Sequence, residues 1–383
     1  MTARAGDLGV RFGLLPSGPT GSVHDVPGVG LGHATLLLDE PGPPHGRGVV
    51  RTGVSVLHLD GDSFGSPVPA GGAVLNGMGE CTGFVTIGEW GRLETPVFLT
   101  STMQVGRVYD AACTLLARRD DRVGVDDVVI PVVAECDDSG LSDPRWARLS
   151  DDDVEAAWDA ARAAVGSGRP PPEGSVGAGT GMEALGRKGG IGTASRLLPD
   201  GHVLGAVVLA NFGHGERLTV AGVPVGLQMR AVGPERSRPE RSRPGRGGLG
   251  SCIVVLVTDG PLDAHGCGRL ARRAGLGLAR TGSVAGHGSG EIFLAAATGL
   301  RGDRTRPAAG VPVSGQDLDP YFAAAVEATE EAVITSLLAA SPVTGRDGRT
   351  VEALPLDRVR SLLGDRSLPG DRSLPGGPGG GRL

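Results

Sequence analysis

Aromatic side chains are scarce, with 7 Phe, 2 Tyr and 3 Trp in 383 residues. A core with so few large rings must be filled by small and branched residues, and the 67 glycines and 28 prolines point to a turn-rich chain packed that way. No apolar run is long enough to cross a bilayer, which argues against a membrane-spanning helix. The stretch Met1–Gly18 has no continuous apolar centre, so an ordinary signal peptide is not expected. A basic surplus is also lacking: the net charge is −6, and no basic face with interleaved aromatics appears, so nucleic acid is not an expected partner. The five cysteines are odd in number, far apart and without a C-x-x-C pair, which fits a reducing compartment better than a disulfide framework. No His/Asp/Glu set has metal-ligand spacing, and no metal or other cofactor is expected. From these absences a soluble, cytoplasmic protein without a membrane partner is expected.

What is present is a series of short apolar runs divided by glycine-rich turns. Strands are expected at Val23–His33, Gly53–Leu59, Pro96–Thr100, Val128–Ala134, Val203–Ala210 and Ile253–Val257, and Ser289-Gly290-Glu291 leads into an apolar stretch at Ile292–Ala295. Helical spacing marks Val105–Arg119, Asp151–Val165, a segment from Pro261 through Leu278, and Pro320–Ala340. Leu218–Gly226 resembles a hairpin turning at Ala221-Gly222. Gly28, Gly30 and Gly32 give G-x-G-x-G without a following helix, so a dinucleotide site is rejected; Gly181–Lys188 misses the phosphate-loop pattern because Arg187 holds the lysine position. His24 and His33 read as hydrogen-bonded structural histidines. Gly233–Gly248, with Pro-Glu-Arg-Ser-Arg twice in tandem, reads as a flexible linker, and Gly364–Leu383, with Gly-Asp-Arg-Ser-Leu-Pro twice, as a disordered tail.

The linker ends at Gly247-Gly248-Leu249-Gly250-Ser251, and the buried strand begins at once. On these residues alone a Gly-Ser loop feeding a core strand is the plainer reading. The sharper one is self-cleavage, in which the Ser251 hydroxyl attacks the Gly250 carbonyl and Ser251 becomes a new N-terminus whose α-amine serves as its own base. Such an amine has a reference pKa of about 7.7–8.0, so part of it is neutral near pH 7. A carboxylate straight after an apolar strand, Glu135, is a second feature open to either a structural or a functional reading.

Taken in order, the blocks DVPGV (25–29), VRTGV (50–54), LNG-x-GE (75–80), VGAGTGM (176–182), KGGIGT-x-SR (188–196), ANFG (210–213), GVPVG (222–226), GSGEIF (288–293) and TGRDG (344–348) resemble the L-aminopeptidase/D-esterase and β-aminopeptidase family of self-cleaving serine peptidases. The resemblance runs from about Val23 to Leu354. It implies an α/β fold, an αββα sandwich like that of N-terminal-nucleophile hydrolases with different connectivity. It implies cleavage between Gly250 and Ser251 into a larger chain, 1–250, and a smaller one, 251–383, which together form one catalytic domain and assemble as a homo-oligomer of cleaved heterodimers. Ser251 would be the nucleophile, Asn211 the oxyanion donor, and Ser289 and Glu291 a hydrogen-bonded pair beside the nucleophile. The two-residue spacing of Ser289 and Glu291 would aim both at one face if extended. Glu135 matches a carboxylate near the substrate's amino end.

The implied activity is release of N-terminal residues from small peptides, amides or esters, with no cofactor. Two departures stand out: Ser101 and Met103 where relatives often carry Asn and His, and Gly140 where a tyrosine is expected. An acyltransferase of the ornithine acetyltransferase type is the alternative, although that type uses a threonine nucleophile; a non-catalytic relative is the other. The composition of the C-terminal repeat has too little apolar surface to offset ordering entropy. Deleting Gly364–Leu383 is therefore expected to leave turnover nearly unchanged, and a large loss of soluble protein in an expression comparison would show that the tail docks on the fold.

Overall fold

Two β-sheets face each other across an apolar layer, and helices cover both outer faces. The computed structural model describes residues 3–231, 250–306 and 309–364. Among them nine strands have five residues or more: β1 (Val29–Asp39), β2 (Val49–Leu59), β3 (Val68–Gly77), β4 (Val97–Ser101), β5 (Val132–Cys136), β6 (Gly190–Leu197), β7 (Val203–Asn211), β8 (Ser251–Thr258) and β9 (Gly290–Ala297). The first sheet runs β1-β2-β4-β5 and the second β3-β9-β8-β7-β6, with Arg92–Leu93 on the outer edge of β3. The β4–β5 and β8–β9 pairs are parallel and the other neighbours antiparallel. This is the αββα sandwich.

Strand alternation explains the layers. Along β8, Ile253, Val255 and Val257 meet Leu57, Leu99 and Ala134 of the first sheet, while Cys252, Val254 and Leu256 meet the helices outside. Those outer helices are α5 (Ala264–Thr281) and α6 (Asp319–Leu338). On the other outer face, α2 (Val105–Arg119) and α3 (Asp151–Ala164) bury Val108, Leu115, Val154 and Trp158 against Val54, Val56 and Phe98. Three shorter helices complete the set: α1 (Phe84–Trp90), α4 (Val225–Ala231) and α7 (Leu356–Leu363).

Glycine, not aromatic bulk, sets the distance between layers. A Cβ at Gly30 would lie 2.0 Å from the Ala161 carbonyl oxygen, and one at Gly32 would lie 2.2 Å from the Ala161 nitrogen. The G-x-G-x-G stretch therefore seats α3 on β1. On the opposite side, a Cβ at Gly71 would stand 2.4 Å from the Gly268 nitrogen of α5, and at Gly192 2.0 Å from the Ala332 oxygen of α6.

Those same glycines hide β3 and β6 from a sequence reading, because strand propensity penalises the residue that helix packing requires. Other boundaries also move. The strand expected at Val23 starts at Val29, after a short helical turn at Val23–Asp25 capped by Ser22. The one expected at Val128 starts at Val132, because the Arg304 guanidinium takes the Val128 carbonyl at 3.0 Å. The helix expected from Pro261 starts at Ala264, with the Asp263 carboxylate accepting from Gly266 N at 2.7 Å. At Leu218–Gly226 the turn is present, with Ala221 and Gly222 at φ 47° and 78°, but it closes a single Val220–Val223 bridge and leads into α4. The linker 233–248 and the tail beyond Gly364 lie outside the described residues.

Gly32→Ala should cost about 1–3 kcal/mol, the usual range for overpacking, because its Cβ meets helix backbone that cannot rotate away. Gly106→Ala, at a helix position with open space around the added carbon, should be neutral or gain up to about 1 kcal/mol. Denaturant unfolding of the two variants distinguishes these outcomes.

Candidate active site

The strand ends that carry the sequence-derived residues meet at one end of the sandwich. Asn211 closes β7 and Ser251 opens β8, and the antiparallel register sets them directly opposite each other. Gly290 opens β9 and pairs with Ser251 on its other side in parallel register. Ser251 is 7% exposed, so its position follows from the ladder and not from a mobile loop.

The Gly250 carbonyl is held here. Its oxygen accepts a hydrogen bond from Gly290 N at 3.2 Å. A Cβ at position 250 would lie 2.2 Å from the Asn211 carbonyl oxygen, so only glycine lets the chain pass this close to β7. The Asn211 amide is oriented at both ends. Its Oδ1 accepts from Glu183 N at 2.8 Å, and its Nδ2 donates to the Asp137 carbonyl at 2.9 Å. An amide NH2 has two hydrogens, so one remains for another acceptor.

Ser289 donates its hydroxyl proton to Glu291 Oε1, and both side chains are buried. The second oxygen, Glu291 Oε2, has no partner among the described residues. Burial raises the Glu291 pKa, against the pull of the Ser289 hydroxyl. Alternation sorts these groups by face. Ser251 and Asn211 follow Ile253 and Leu209 toward the space between the sheets, whereas Glu291 follows Phe293 toward the helix side. There it lines a small cleft with Phe212, His214 and Val284. In the continuous chain, the backbone of Gly290 links the two faces.

Glu135 is the next-to-last residue of β5, in the opposite sheet. Its Oε1 accepts from Glu80 N at 2.9 Å, and its Oε2 accepts from the Thr102 hydroxyl. Gly79 brings it to the same end of the sandwich: a Cβ there would lie 3.2 Å from Glu135 Oε1 and 3.7 Å from the Gly290 Cα. Burial raises the Glu135 pKa, and the two hydrogen bonds pull it back. The loop that supplies Glu80 is tied to β5 by Thr82, whose N reaches the Val133 carbonyl at 2.9 Å and whose hydroxyl reaches the Pro131 carbonyl at 2.7 Å. It is tied to the segment leading into β9 by Asn76, which donates to the Gly286 carbonyl at 3.0 Å and also to the Ser289 carbonyl.

At the departures, the Ser101 hydroxyl donates to Asp138 Oδ1 at 2.8 Å, and burial pushes the Asp138 carboxyl up to about 7. Met103 is exposed. Beside Gly140 lies a cation: a Cβ there would be 3.3 Å from Arg349 Nη1, and that guanidinium pairs with Glu183 at 2.6 Å.

The profile of Peptidase family S58 matches residues 21–351. A β-peptidyl aminopeptidase, BapA of Sphingosinicella xenopeptidilytica, is 37% identical over 377 residues, covering 94% of this chain and 90% of its own. The chain belongs to peptidase family S58. As a member of that family it is a hydrolase. Two solved structures show the same fold at 94% coverage of this chain and 98% of theirs. A β-aminopeptidase from Burkholderia sp. superimposes with a TM-score of 0.81 at 39% identity. The L-aminopeptidase D-Ala-esterase/amidase from Ochrobactrum anthropi, described as a new variant among the Ntn-hydrolase fold, gives 0.82 at 37% identity.

Within this S58 peptidase His24 and His33, expected to be hydrogen-bonded, do make such bonds. His24 accepts from Leu31 N at 3.0 Å, and His33 contacts the Ser55 hydroxyl at 2.8 Å. No group of three or more metal-ligating side chains occurs among the described residues, and no helix there is long and apolar enough to cross a membrane. Sequence reasoning passed over Gly290 as a donor, Thr102 and Glu80 as partners of Glu135, and Lys188. The first three act through backbone or through contacts between distant segments, which leave no spacing signal.

A carboxylate that anchors a substrate ammonium must be ionised, and a raised pKa means that Glu135 takes up its proton at higher pH than an ordinary glutamate. The KM for substrates with a free amino group should therefore rise as pH falls, earlier than a normal carboxylate would dictate. Glu135→Gln should raise that KM and remove this acid dependence, while N-acylated esters, if turned over, keep theirs. Equal damage to free and blocked substrates would remove Glu135 from this role.

Proposed function

We propose that this S58 peptidase cuts its own Gly250–Ser251 bond and then works as a serine aminopeptidase on small peptides, amides or esters. The observation that carries the reading is the Gly250 carbonyl, held by Gly290 N–H in the slot where Ser251 lies between Asn211 and Gly290. Attack by Ser251 Oγ on that carbonyl carbon forms a C–O bond and places negative charge on the oxygen that Gly290 already contacts. Collapse breaks the C–N bond, and the proton lost by the hydroxyl goes to the departing Ser251 nitrogen. Water then hydrolyses the ester and leaves Ser251 with a free α-amine.

In turnover the same hydroxyl attacks the substrate's acyl carbon and passes its proton to the α-amine, which protonates the leaving amine or alcohol. Water, giving a proton to the same amine, then cleaves the acyl-Ser251 ester, releases the acid and restores the hydroxyl. The remaining Asn211 N–H serves the oxyanion, a contribution of about 2.7–4 kcal/mol for one such donor. Release from the ladder frees the new terminus to turn, and the buried, unpartnered Glu291 Oε2, one residue beyond the Gly290 that pairs with Ser251, is its proposed acceptor. Glu135, across the site, takes the substrate's ammonium. The names of the relatives support the aminopeptidase assignment. The mature protein is proposed to be residues 1–250 and 251–383 held together, in a homo-oligomer of such pairs.

Intact-mass measurement of purified protein should show those two chains, and Ser251→Ala should give one. A two-chain Ser251→Ala product would assign the cut to another protease. In protein supplied already as two chains, Asn211→Ala should lower kcat by about 10²–10³ with a smaller effect on KM.

A further inference from the structure

Lys188 is a lysine with no exposed surface, and no step described so far uses it. A side chain of this type is almost never fully buried without a specific partner. Its Nζ donates to three carbonyl oxygens: Met182 at 2.7 Å, Gly189 at 2.7 Å and Gly179 at 2.8 Å. A neutral amine has two hydrogens and cannot serve three acceptors, so the geometry is that of an ammonium. Burial pushes its pKa down to about 7, while the Glu183 and Asp138 carboxylates and the three carbonyls favour the charged form.

The Met182 carbonyl belongs to the same peptide unit as the Glu183 N–H, and that N–H donates to Asn211 Oδ1 at 2.8 Å. The local fold makes this connection obligatory. Glu183–Ala184 and Arg187–Lys188 form a two-residue hairpin, with Leu185 and Gly186 at φ 51° and 68°, which sets Lys188 opposite Glu183. The hairpin is fastened to the end of β7 by Leu185 N on the Phe212 carbonyl at 2.7 Å.

We infer that Lys188 is a positioning residue for the oxyanion donor, its ammonium polarising Asn211 through the Met182–Glu183 peptide. A positive charge on the carbonyl of a peptide strengthens that peptide's N–H as a donor. A stronger bond to Asn211 Oδ1 draws density from the amide nitrogen and makes its free N–H a better donor to a developing negative charge. Hydrogen bonds in such a chain reinforce one another in a low-dielectric interior. The inference rests on Asn211 being the oxyanion donor.

A double-mutant cycle tests it, with residues 1–250 and 251–383 co-expressed so that processing is bypassed. Lys188→Met should lower kcat about ten-fold, the scale of weakening one charge-assisted hydrogen bond, with KM little changed. In the Asn211→Ala background the same change should alter kcat by less than about two-fold, because the group it acts through is gone. If Lys188→Met fails to fold, Lys188→Gln, which keeps N–H donors without the charge, takes its place in the cycle. An equal loss in both backgrounds overturns the inference and makes Lys188 a structural tie alone. An Asn211→Ala enzyme with wild-type kcat overturns the oxyanion assignment, and the relay with it.

Discussion

The β8 ladder is the constraint on which the site depends. Ser251 has no loop of its own to place it: it is the first rung of a strand whose eight residues are all buried, fixed on one side by Asn211 and on the other by Gly290. Moving the register by one residue would exchange the inter-sheet and helix-side faces of the whole strand, so core packing and placement of the hydroxyl are enforced together. Glu135, from the other sheet, needs a separate constraint. That is supplied by the loop from Asn76 to Thr82, bonded to the segment before β9 at one end and beside β5 at the other.

The charges inside the protein follow a common pattern in which backbone groups do much of the neutralising. Lys188 is surrounded by carbonyls, and Glu135 accepts from a backbone N–H and a hydroxyl. By contrast Arg196, away from the site, pairs with Glu331 at 2.6 Å and Glu327 at 3.2 Å on α6, joining the helix to β6. Removing one partner of such a pair leaves an uncompensated buried charge, which is why these contacts favour one packing of α6 over others. Around Lys188 and Glu135 backbone and hydroxyl dipoles face the charge, beside the Arg349–Glu183 pair, whereas α6 is joined to β6 by ion pairs.

Close approach through glycine is the price of an αββα core with so few rings. It also accounts for much of the motif content: Gly30, Gly32, Gly71 and Gly192 each admit a helix backbone, and Gly250 admits the Gly250–Ser251 peptide beside β7. A glycine-rich motif in this chain therefore marks contact between backbones, and a phosphate-binding reading of the same letters is unnecessary.

The sequence by itself marked the buried β8 strand and the long helices, because apolar runs and helical periodicity are local, and it singled out Ser251 as the candidate nucleophile. Its ordered motifs also pointed to the S58 family and hence to Asn211, Ser289, Glu291 and Glu135. Only the tertiary structure decided what those residues touch. The opposition of Ser251 and Asn211 is a register across 40 positions. Glu135 meets Glu80 and Thr102 through loop closure, and the Gly250 carbonyl meets the backbone N–H of Gly290, a group that every residue but proline carries. Nor could composition reveal β3 and β6, whose glycines lower strand propensity in order to seat α5 and α6. These features come from pairing between distant segments, where register and backbone approach are set by the packed whole and carry no signature in local residue order.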